Sequence, residues 1–214
     1  MQNVIGIVIP TYKRPHAIVR AHNNAHENTE TPHKIYFVIE PGEWASYNVI
    51  KDNHFNLIIS KYPGNHTGAA NTAYEETHEP FFIIANDDFN FHKGWDTKAL
   101  ACMGDNYGVV GLNDGSSGSR TAITLVRRDY IKNYSGSIDT INTLYYPGYN
   151  HNYVDTEFSA VANKRGKFVV CDDAIVEHMH WAFNKATMDD TYSKSNATAP
   201  ADANLYASRQ KLWQ

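Results

Sequence analysis

The sequence predicts a single α/β domain built on a mostly parallel sheet with helices on both faces. Three observations lead to this prediction. Short apolar runs alternate with helix-like stretches through the first half of the chain. These runs are almost wholly apolar, as expected of strands that are covered on both faces. A length of 214 residues, with 42% hydrophobic and 20% charged residues, is typical of one globular domain.

The first half of the chain alternates predicted strands with predicted helices. It begins with a strand at residues 4–9, which Pro10 and Thr11 end, and a helix at residues 15–27. The other predicted elements of this half are strands at 34–39, 57–60, 81–85 and 108–112 and helices at 67–78 and 94–104. This alternation indicates βα units, whose strands pair in parallel.

The second half is less regular. Residues 113–120 are rich in Asn, Asp, Gly and Ser, which predicts a flexible surface loop. The predicted elements after it are strands at 122–126, 168–171 and 174–177 and helices at 154–164 and 202–213. No linker-like composition divides the chain, so one domain over residues 1–214 is expected.

The composition argues against several classes of protein. A net charge of −4 argues against a strongly electrostatic grip on nucleic acid, although a small basic groove remains compatible with it. The apolar runs are shorter than the roughly 18 residues that span a bilayer, and the N-terminus lacks the features of a signal peptide. We therefore expect no membrane association and a cytoplasmic location. Cys102 and Cys171 lack CxxC spacing and are expected to be reduced, buried thiols.

Asn86-Asp87-Asp88 is the most informative segment of the chain, because it directly follows the predicted buried strand at 81–85. Open α/β sheets bind their ligands at the carboxyl ends of the strands. Carboxylates at that edge are suited to hold a hard cation. The alternative is a solvated turn, since Asn and Asp also favour loops.

Other polar residues are expected near the same edge. Thr11 and Tyr12 leave the first strand there and Glu40 leaves the second, which predicts a pocket at a switch point of the sheet. His178 and His180 follow the last predicted strand, and their side chains share a face if the segment is extended. Histidine is a common metal ligand, and the alternative is a pair of surface histidines.

Five segments in chain order, residues 7–14, 65–71, 86–88, 154–158 and 178–180, resemble the GT-A glycosyltransferases of the family 2 type. The resemblance extends over residues 5–209. It implies a GT-A type, Rossmann-like fold with a nucleotide-sugar-binding half at 1–112, an acceptor and catalytic half at 113–184 and a C-terminal tail at 185–214.

The resemblance also implies a donor site and a metal site. The donor would be a nucleoside diphosphate sugar, with UDP as the expected nucleotide, bound by Pro10, Thr11, Tyr12, Arg14, Glu40, Asn65, Gly68, Asn71, Asn86 and Asp87. Arg14 would lie near the phosphates, or else on a solvated first turn. Mn²⁺ or Mg²⁺ would be held by Asp88 and by His178 or His180, of which His178 is favoured. Asn86 and Glu40 depart from the acids that are frequent in the family, which bears on donor selectivity.

Asp155 is the expected catalytic base, because an acceptor hydroxyl must lose its proton as it attacks. Asp155 would alternatively cap the helix that begins there, which would keep it ionised and lower its basicity. The expected acceptor contacts are Trp95, Asn113, Asp114, Tyr149 and Glu157, from loops and aromatic positions.

The implied activity is a metal-dependent, inverting sugar transfer to an acceptor hydroxyl. The acceptor would be a glycan or a hydroxymethylated base in DNA, as for some phage-encoded relatives, in which case the location would be the host cytoplasm. One alternative is a nucleotidyltransferase, which should carry a Gly-rich phosphate loop with Lys or Arg after the first strand; Lys13-Arg14 resembles this faintly. Another is a non-catalytic module that binds nucleotides or carbohydrates. No oligomeric state is predicted.

Overall fold

The structure is a computed structural model that describes residues 3–116, 118 and 120–214. Among these residues, eight strands form one sheet in the order β3-β2-β1-β4-β7-β6-β8-β5. The strands are β1 (Ile5–Pro10), β2 (His33–Ile39), β3 (Asn56–Ile59), β4 (Phe81–Ile84), β5 (Phe89–Phe91), β6 (Val109–Asn113), β7 (Thr124–Arg127) and β8 (Phe168–His178).

Strand pairing places the carboxyl ends of three strands side by side. β1 pairs in parallel with both β2 and β4, and β2 pairs in parallel with β3. β6 and β8 are also parallel, whereas β7 runs antiparallel between β4 and β6, and β5 runs antiparallel along β8. The strand order reverses beside β1, so a crevice opens at the carboxyl ends of β1, β2 and β4.

In the described part of the chain, seven α-helices cover the sheet. They are α1 (Ile18–Asn28), α2 (Trp44–Asp52), α3 (His66–Glu76), α4 (Trp95–Met103), α5 (Arg128–Tyr134), α6 (Val154–Lys164) and α7 (Asp190–Arg209). α1, α2 and α4 contribute to one buried cluster, and α3, α5 and α6 contribute to a second. The predicted α/β fold with helices on both faces is therefore confirmed.

β1 shows why these strands form the centre. All six of its residues are buried. Ile5, Ile7 and Ile9 belong to one core cluster, whereas Val8 belongs to the other. Because side chains alternate between the faces of a strand, a continuous apolar run supplies both cores at once.

Several element boundaries differ from the sequence-based expectation. The two strands predicted at 168–171 and 174–177 form one strand, β8, whose register shifts opposite Leu112 and Asn113. The helix predicted at 202–213 begins at Asp190, so most of the predicted tail is one long helix, α7. The short elements α2, β5 and α5 were not predicted. In the loop predicted at 113–120, Ser117 and Ser119 lie outside the described residues.

Cys102 at the end of α4 and Cys171 in β8 form a disulfide, with Cα atoms 6.0 Å apart. The expectation of reduced thiols was therefore wrong. The two residues are 69 positions apart in sequence and meet because α4 packs along β8, which residue spacing alone does not show. Among the described residues, no helix is long and apolar enough to cross a bilayer.

Candidate functional site

Two cavities adjoin each other in the structure. The first cavity lies at the carboxyl ends of β1, β2 and β4. Eight of the ten residues predicted to contact the nucleotide sugar line it: Pro10, Thr11, Tyr12, Arg14, Glu40, Asn65, Asn86 and Asp87. Asp88, His178 and His180 line it as well. The strand order therefore brings together residues from five separate segments of the sequence.

Asp87 and Arg14 form a buried network at the base of this cavity. Thr11 Oγ1 donates a hydrogen bond of 2.5 Å to Asp87 Oδ2, and Arg14 Nη1 donates one of 2.7 Å to Asp87 Oδ1. Arg14 also donates from Nε and Nη2 to the two oxygens of Asp189, at 2.7 and 3.0 Å. Arg14 therefore connects the loop after β1 to the start of α7, and the two carboxylates balance its charge.

Asp88 and His178 face each other beside this network. Asp88 Oδ2 lies 3.4 Å from His178 Nε2 and accepts a hydrogen bond of 2.7 Å from the hydroxyl of Tyr192. Burial alone would raise the pKa of Asp88, but His178, Tyr192 and Arg14 together lower it to about 2. Asp88 is therefore a carboxylate at neutral pH.

Two buried atoms of this pair fit a divalent cation. Asp88 Oδ1 and His178 Nε2 have no hydrogen-bond partner among the described residues, although an unpaired buried polar atom is normally costly. A carboxylate oxygen and an imidazole nitrogen are suitable ligands for Mn²⁺. No cluster of three or more metal-binding side chains occurs in the described part of the chain. The pair would therefore need further ligands from a bound phosphate or from water.

His178 is better placed for this role than His180. His178 ends β8, and the next backbone N–H, that of Met179, donates to the carbonyl oxygen of Asp88 at 2.9 Å. His180 instead caps a short 3-10 helix, Trp181–Phe183, since its Nδ1 accepts a hydrogen bond from Ala182 N. One ring nitrogen of His180 is thus already used by the protein.

A second cavity adjoins the first, and Asp155 lines it. The described residues that line both cavities are His66, Asn86, His151, His178, His180 and Ser195. The N-cap of α6 is Tyr153, with φ of 63°, so the alternative role of Asp155 as the helix cap was wrong. Asp155 lies in the first turn, and burial raises its pKa, which overturns the expectation of lowered basicity.

His66 and His151 lie between the cavities and were not predicted. Their ring centroids are 4.7 Å apart. Burial lowers the pKa of His66 to about 3 and that of His151 to about 4, so both imidazoles are neutral at pH 7. His66 opens α3 directly after its N-cap Asn65, a helix-start signal that the sequence does contain.

Three of the predicted acceptor contacts belong to the core. Trp95, Tyr149 and Glu157 are 0%, 1% and 2% exposed. Trp95 Nε1 donates to Thr29 Oγ1, while Glu157 accepts from the hydroxyl of Tyr149 and pairs with Arg209 at 2.7 Å. The prediction that these side chains contact an acceptor was wrong, because their polar atoms are satisfied inside the protein.

Asn113 and Asp114 also serve local structure. Asn113 Nδ2 donates to Asp172 O at 3.0 Å, and Asp114 Oδ1 accepts from the backbone and side chain of Ser116. Neither residue lines the two cavities. Their contact with an acceptor stays a prediction.

Gly68 and Asn71 on α3 have structural roles as well. A Cβ at Gly68 would lie 1.9 Å from Tyr62 O, so only glycine allows this close packing. Asn71 exchanges two hydrogen bonds with the backbone of Tyr145, at 2.8 and 3.0 Å. Neither residue lines the cavities, and their contact with the nucleotide stays a prediction.

α7 forms one wall of the first cavity, and the sequence did not predict its residues as part of the site. Thr191 Oγ1 donates to Tyr12 O at 2.7 Å, and Lys194 Nζ lies 4.0 Å from the centre of the Tyr12 ring. Both residues line the first cavity, together with Tyr192, Ser195 and Thr198. Asp189 caps the helix by accepting from Tyr192 N, so Asp189-Asp190 was an available helix-start signal.

Comparison with known proteins identifies the fold. The sequence model described as "Glycosyl transferase family 2" matches residues 6–186. A search of the curated proteins gives no significant match. α7 follows the matched segment.

Solved structures with low sequence identity share the fold. One is glucosyl-3-phosphoglycerate synthase from Mycobacterium tuberculosis, in complex with Mn²⁺, UDP-glucose and glycerol 3-phosphate. It superposes with a TM-score of 0.69 at 8% sequence identity, and the match covers 96% of this chain and 79% of that one. The mannosyltransferase PcManGT from Pyrobaculum calidifontis, in complex with GDP-mannose and Mn²⁺, gives 0.62 at 14% identity. S. aureus TarS 1–349 gives 0.64 at 13% identity.

Coverage is unequal for the last two structures. This chain matches over 82% and 83% of its own length, but it spans only 56% of the mannosyltransferase and 60% of the TarS fragment. The likeness confirms the GT-A fold.

Proposed function

Because this chain belongs to glycosyl transferase family 2, it is a glycosyltransferase, and we propose that it transfers a sugar from a UDP-sugar to an acceptor hydroxyl in a metal-dependent, inverting reaction. The observation that carries the proposal is the placement of Asp88 Oδ1 and His178 Nε2, two buried atoms without hydrogen-bond partners among the described residues. They line the first cavity, which adjoins the cavity that contains Asp155.

The first cavity would bind the nucleotide. Pro10 and Thr11 at the end of β1 and Glu40 after β2 would contact the base and ribose. Glu40 is held in place because its Oε2 accepts a hydrogen bond of 2.8 Å from Gly64 N. A carboxylate accepts hydrogen bonds from hydroxyl groups, so Glu40 suits a ribose.

The diphosphate would lie beside Asp88, His178 and Lys194. Asp88 and His178 would hold Mn²⁺ or Mg²⁺, which when bound would neutralise the charge that develops on the departing diphosphate. Structures of the mycobacterial synthase and of PcManGT contain Mn²⁺ together with nucleotide, which supports this assignment. Lys194 would add a second positive charge, since Arg14 is already neutralised by Asp87 and Asp189.

Asp155 would accept the proton of the attacking hydroxyl. Its raised pKa makes it a stronger base than an ordinary aspartate, as general base catalysis requires. It approaches from the second cavity, whereas the diphosphate would occupy the first. Attack from the side opposite the leaving group inverts the anomeric centre. The acceptor would be a glycan or a hydroxymethylated base in DNA.

The structure favours sugar transfer over the alternatives. A nucleotidyltransferase should present a Gly-rich phosphate loop after its first strand, but residues 11–14 contain no glycine and Arg14 is bound by two carboxylates. A binding module has no need of a carboxylate with raised basicity in a cavity next to the nucleotide site. The cytoplasmic location stays a prediction.

Thermal denaturation with UDP tests the metal-dependent donor site. UDP should raise Tm in the presence of Mn²⁺ and have little effect in a chelator. Asp88→Asn should abolish the Mn²⁺-dependent part of the shift, whereas Asp173→Asn, at an exposed position of β8, should retain it. An equal shift in chelator, or a full shift for Asp88→Asn, would remove the metal from the proposal. Mass spectrometry of a panel of nucleotide sugars incubated with the enzyme would then identify the donor.

A further inference from the structure

The two adjoining cavities differ in the cationic side chains that the described residues place in them. The first is lined by Lys194 and by Arg14, whose charge Asp87 and Asp189 balance, and by the acidic residues Glu40 and Asp88. The second is lined by the carboxylate of Asp155, and no Lys or Arg side chain occurs among the described residues that line it. An anionic group in the second cavity therefore meets a carboxylate and no Lys or Arg side chain among the described residues.

Cations near the second cavity in sequence are used elsewhere. Arg120 precedes the lining residue Ala122, but its guanidinium donates to Asp172 at 2.8 Å and lies 3.7 Å from Asp114. Lys185 follows the lining residue His180, but its ammonium pairs with Glu177 at 2.6 Å. Neither cation is in place to balance an anion beside Asp155.

The second cavity also has neutral polar groups. They include the imidazoles of His66 and His151 and the side chains of Asn152, Thr156 and Ser195. A neutral imidazole offers one donor and one acceptor, so it can pair with a sugar hydroxyl, which both donates and accepts. Tyr145 and Tyr153 add aromatic surface, which suits the apolar face of a sugar ring.

We infer that the second cavity takes an uncharged carbohydrate, a sugar or polyol without a phosphate or carboxylate beside the reacting hydroxyl. This inference rests on the proposed glycosyl transfer and names its acceptor class. In the reaction the acceptor hydroxyl gives its proton to Asp155, and its oxygen forms the new bond to the anomeric carbon. The bond from that carbon to the diphosphate breaks, and the electron pair leaves with the diphosphate.

A charged acceptor is disfavoured in this geometry. A phosphate or carboxylate near the reacting hydroxyl would be repelled by Asp155 in a partly buried site, where charges interact more strongly than in water. The phosphates that flank a base in DNA would meet the same lack of positive charge. The structure therefore favours a neutral glycan over a modified DNA base.

A competition between acceptors that differ only in charge tests this inference. The enzyme, its UDP-sugar and Mn²⁺ are incubated with a neutral methyl glycoside, the same glycoside as its 6-phosphate, the corresponding uronic acid, and an oligonucleotide containing 5-hydroxymethylcytosine. Product masses and UDP release are measured. Transfer to the neutral glycoside should exceed transfer to each anionic acceptor on the order of 100-fold. Equal or preferred transfer to an anionic acceptor would overturn the inference.

A charge introduced into the cavity provides a second test. Ala199→Lys adds a cation at a lining position of α7, and Ala201→Lys adds the same cation at an exposed position of that helix. Ala199→Lys should raise kcat/KM for the 6-phosphate relative to the neutral glycoside by about tenfold, and Ala201→Lys should leave this ratio unchanged. An unchanged ratio for Ala199→Lys would show that charge in this cavity does not select the acceptor.

The two proposals fail in distinguishable ways. If UDP does not bind and no UDP-sugar is consumed, the proposed donor site is wrong. If UDP binds but none of the four acceptors reacts, saturation-transfer NMR with UDP and Mn²⁺ present compares binding of the neutral glycoside with that of its 6-phosphate. Preferential binding of the neutral glycoside supports the inference, and preferential binding of the phosphate, or no difference, overturns it.

Discussion

The hydroxyl of Tyr192 donates a hydrogen bond of 2.7 Å to Asp88 Oδ2, although the two residues are 104 positions apart in sequence. The ring of Tyr192 also lies 4.3 Å from the Arg14 guanidinium. α7 thus holds one oxygen of the Asp88 carboxylate and leaves Oδ1 without a partner among the described residues. Tyr192 is therefore a positioning residue for the proposed metal site.

Tyr192→Phe should weaken Mn²⁺ binding by about tenfold, because the ring stays in place while the hydrogen bond that orients Asp88 is lost. The measurement is the Mn²⁺ concentration that gives half of the UDP-dependent shift in Tm. Tyr206→Phe, on the same helix and stacked on Tyr153, is the matched control and should leave this concentration unchanged. Equal values for wild type and Tyr192→Phe would exclude the positioning role.

His178→Asn should weaken Mn²⁺ binding by at least about 100-fold, because it removes one of the two proposed protein ligands. His180→Asn should have a much smaller effect, since His180 mainly caps the turn at Trp181–Phe183. Mn²⁺ titration followed by electron paramagnetic resonance, with UDP present, distinguishes the two variants. Stronger loss in His180→Asn than in His178→Asn would exchange the two assignments.

Asp155→Asn should lower kcat by at least about 100-fold, because the proposed base is lost. UDP affinity should be retained, because Asp155 lines the second cavity and the nucleotide would occupy the first. The base acts when it is deprotonated, so wild-type kcat/KM should fall as pH decreases through the pKa of Asp155. Burial raises this pKa, and the fall should therefore begin above the value of about 3.9 that is ordinary for aspartate. Rates measured across pH test this, and unchanged turnover in Asp155→Asn would exclude it as the base.

Glu157→Gln should lower the free energy of unfolding by about 3 kcal/mol, because it leaves Arg209 with an incompletely balanced charge in a buried site. Glu75→Gln is the control; Glu75 pairs with Lys61 on the surface, and its loss should cost less than about 1 kcal/mol. Urea unfolding measures both changes. A higher acceptor KM for Glu157→Gln at unchanged stability would instead return Glu157 to the acceptor site.

The sequence was sufficient where local pattern determines position. Asp88 follows a continuous apolar strand, and the edge rule for open sheets then places it in the crevice. His178 was predicted from the end of a strand in the same way, although the strand is longer than expected. A register shift in β8 accommodates Asp172 and Asp173, which resemble a turn in sequence, so one strand was predicted as two.

Contacts between segments that are distant in sequence could not be predicted from sequence patterns. Glu157 and Tyr149 have the polar character of site residues, yet Arg209 and the packing of α7 bury them. Tyr192 lies in a stretch without apolar periodicity, and only the three-dimensional fold brings it to Asp88. Residue type indicates what chemistry a side chain can perform, but the partner that it meets depends on tertiary packing.

The contact between Arg14 and Asp189 has a consequence for biosynthesis. These residues are separated by 175 positions, so a nascent chain that emerges from its N-terminus exposes Arg14 long before Asp189 has been made. Contacts of such high sequence separation form late, after shorter-range structure has reduced the entropy of closing the intervening chain. We therefore expect the ability to bind nucleotide to arise as one of the last events of folding, after the ribosome has released α7.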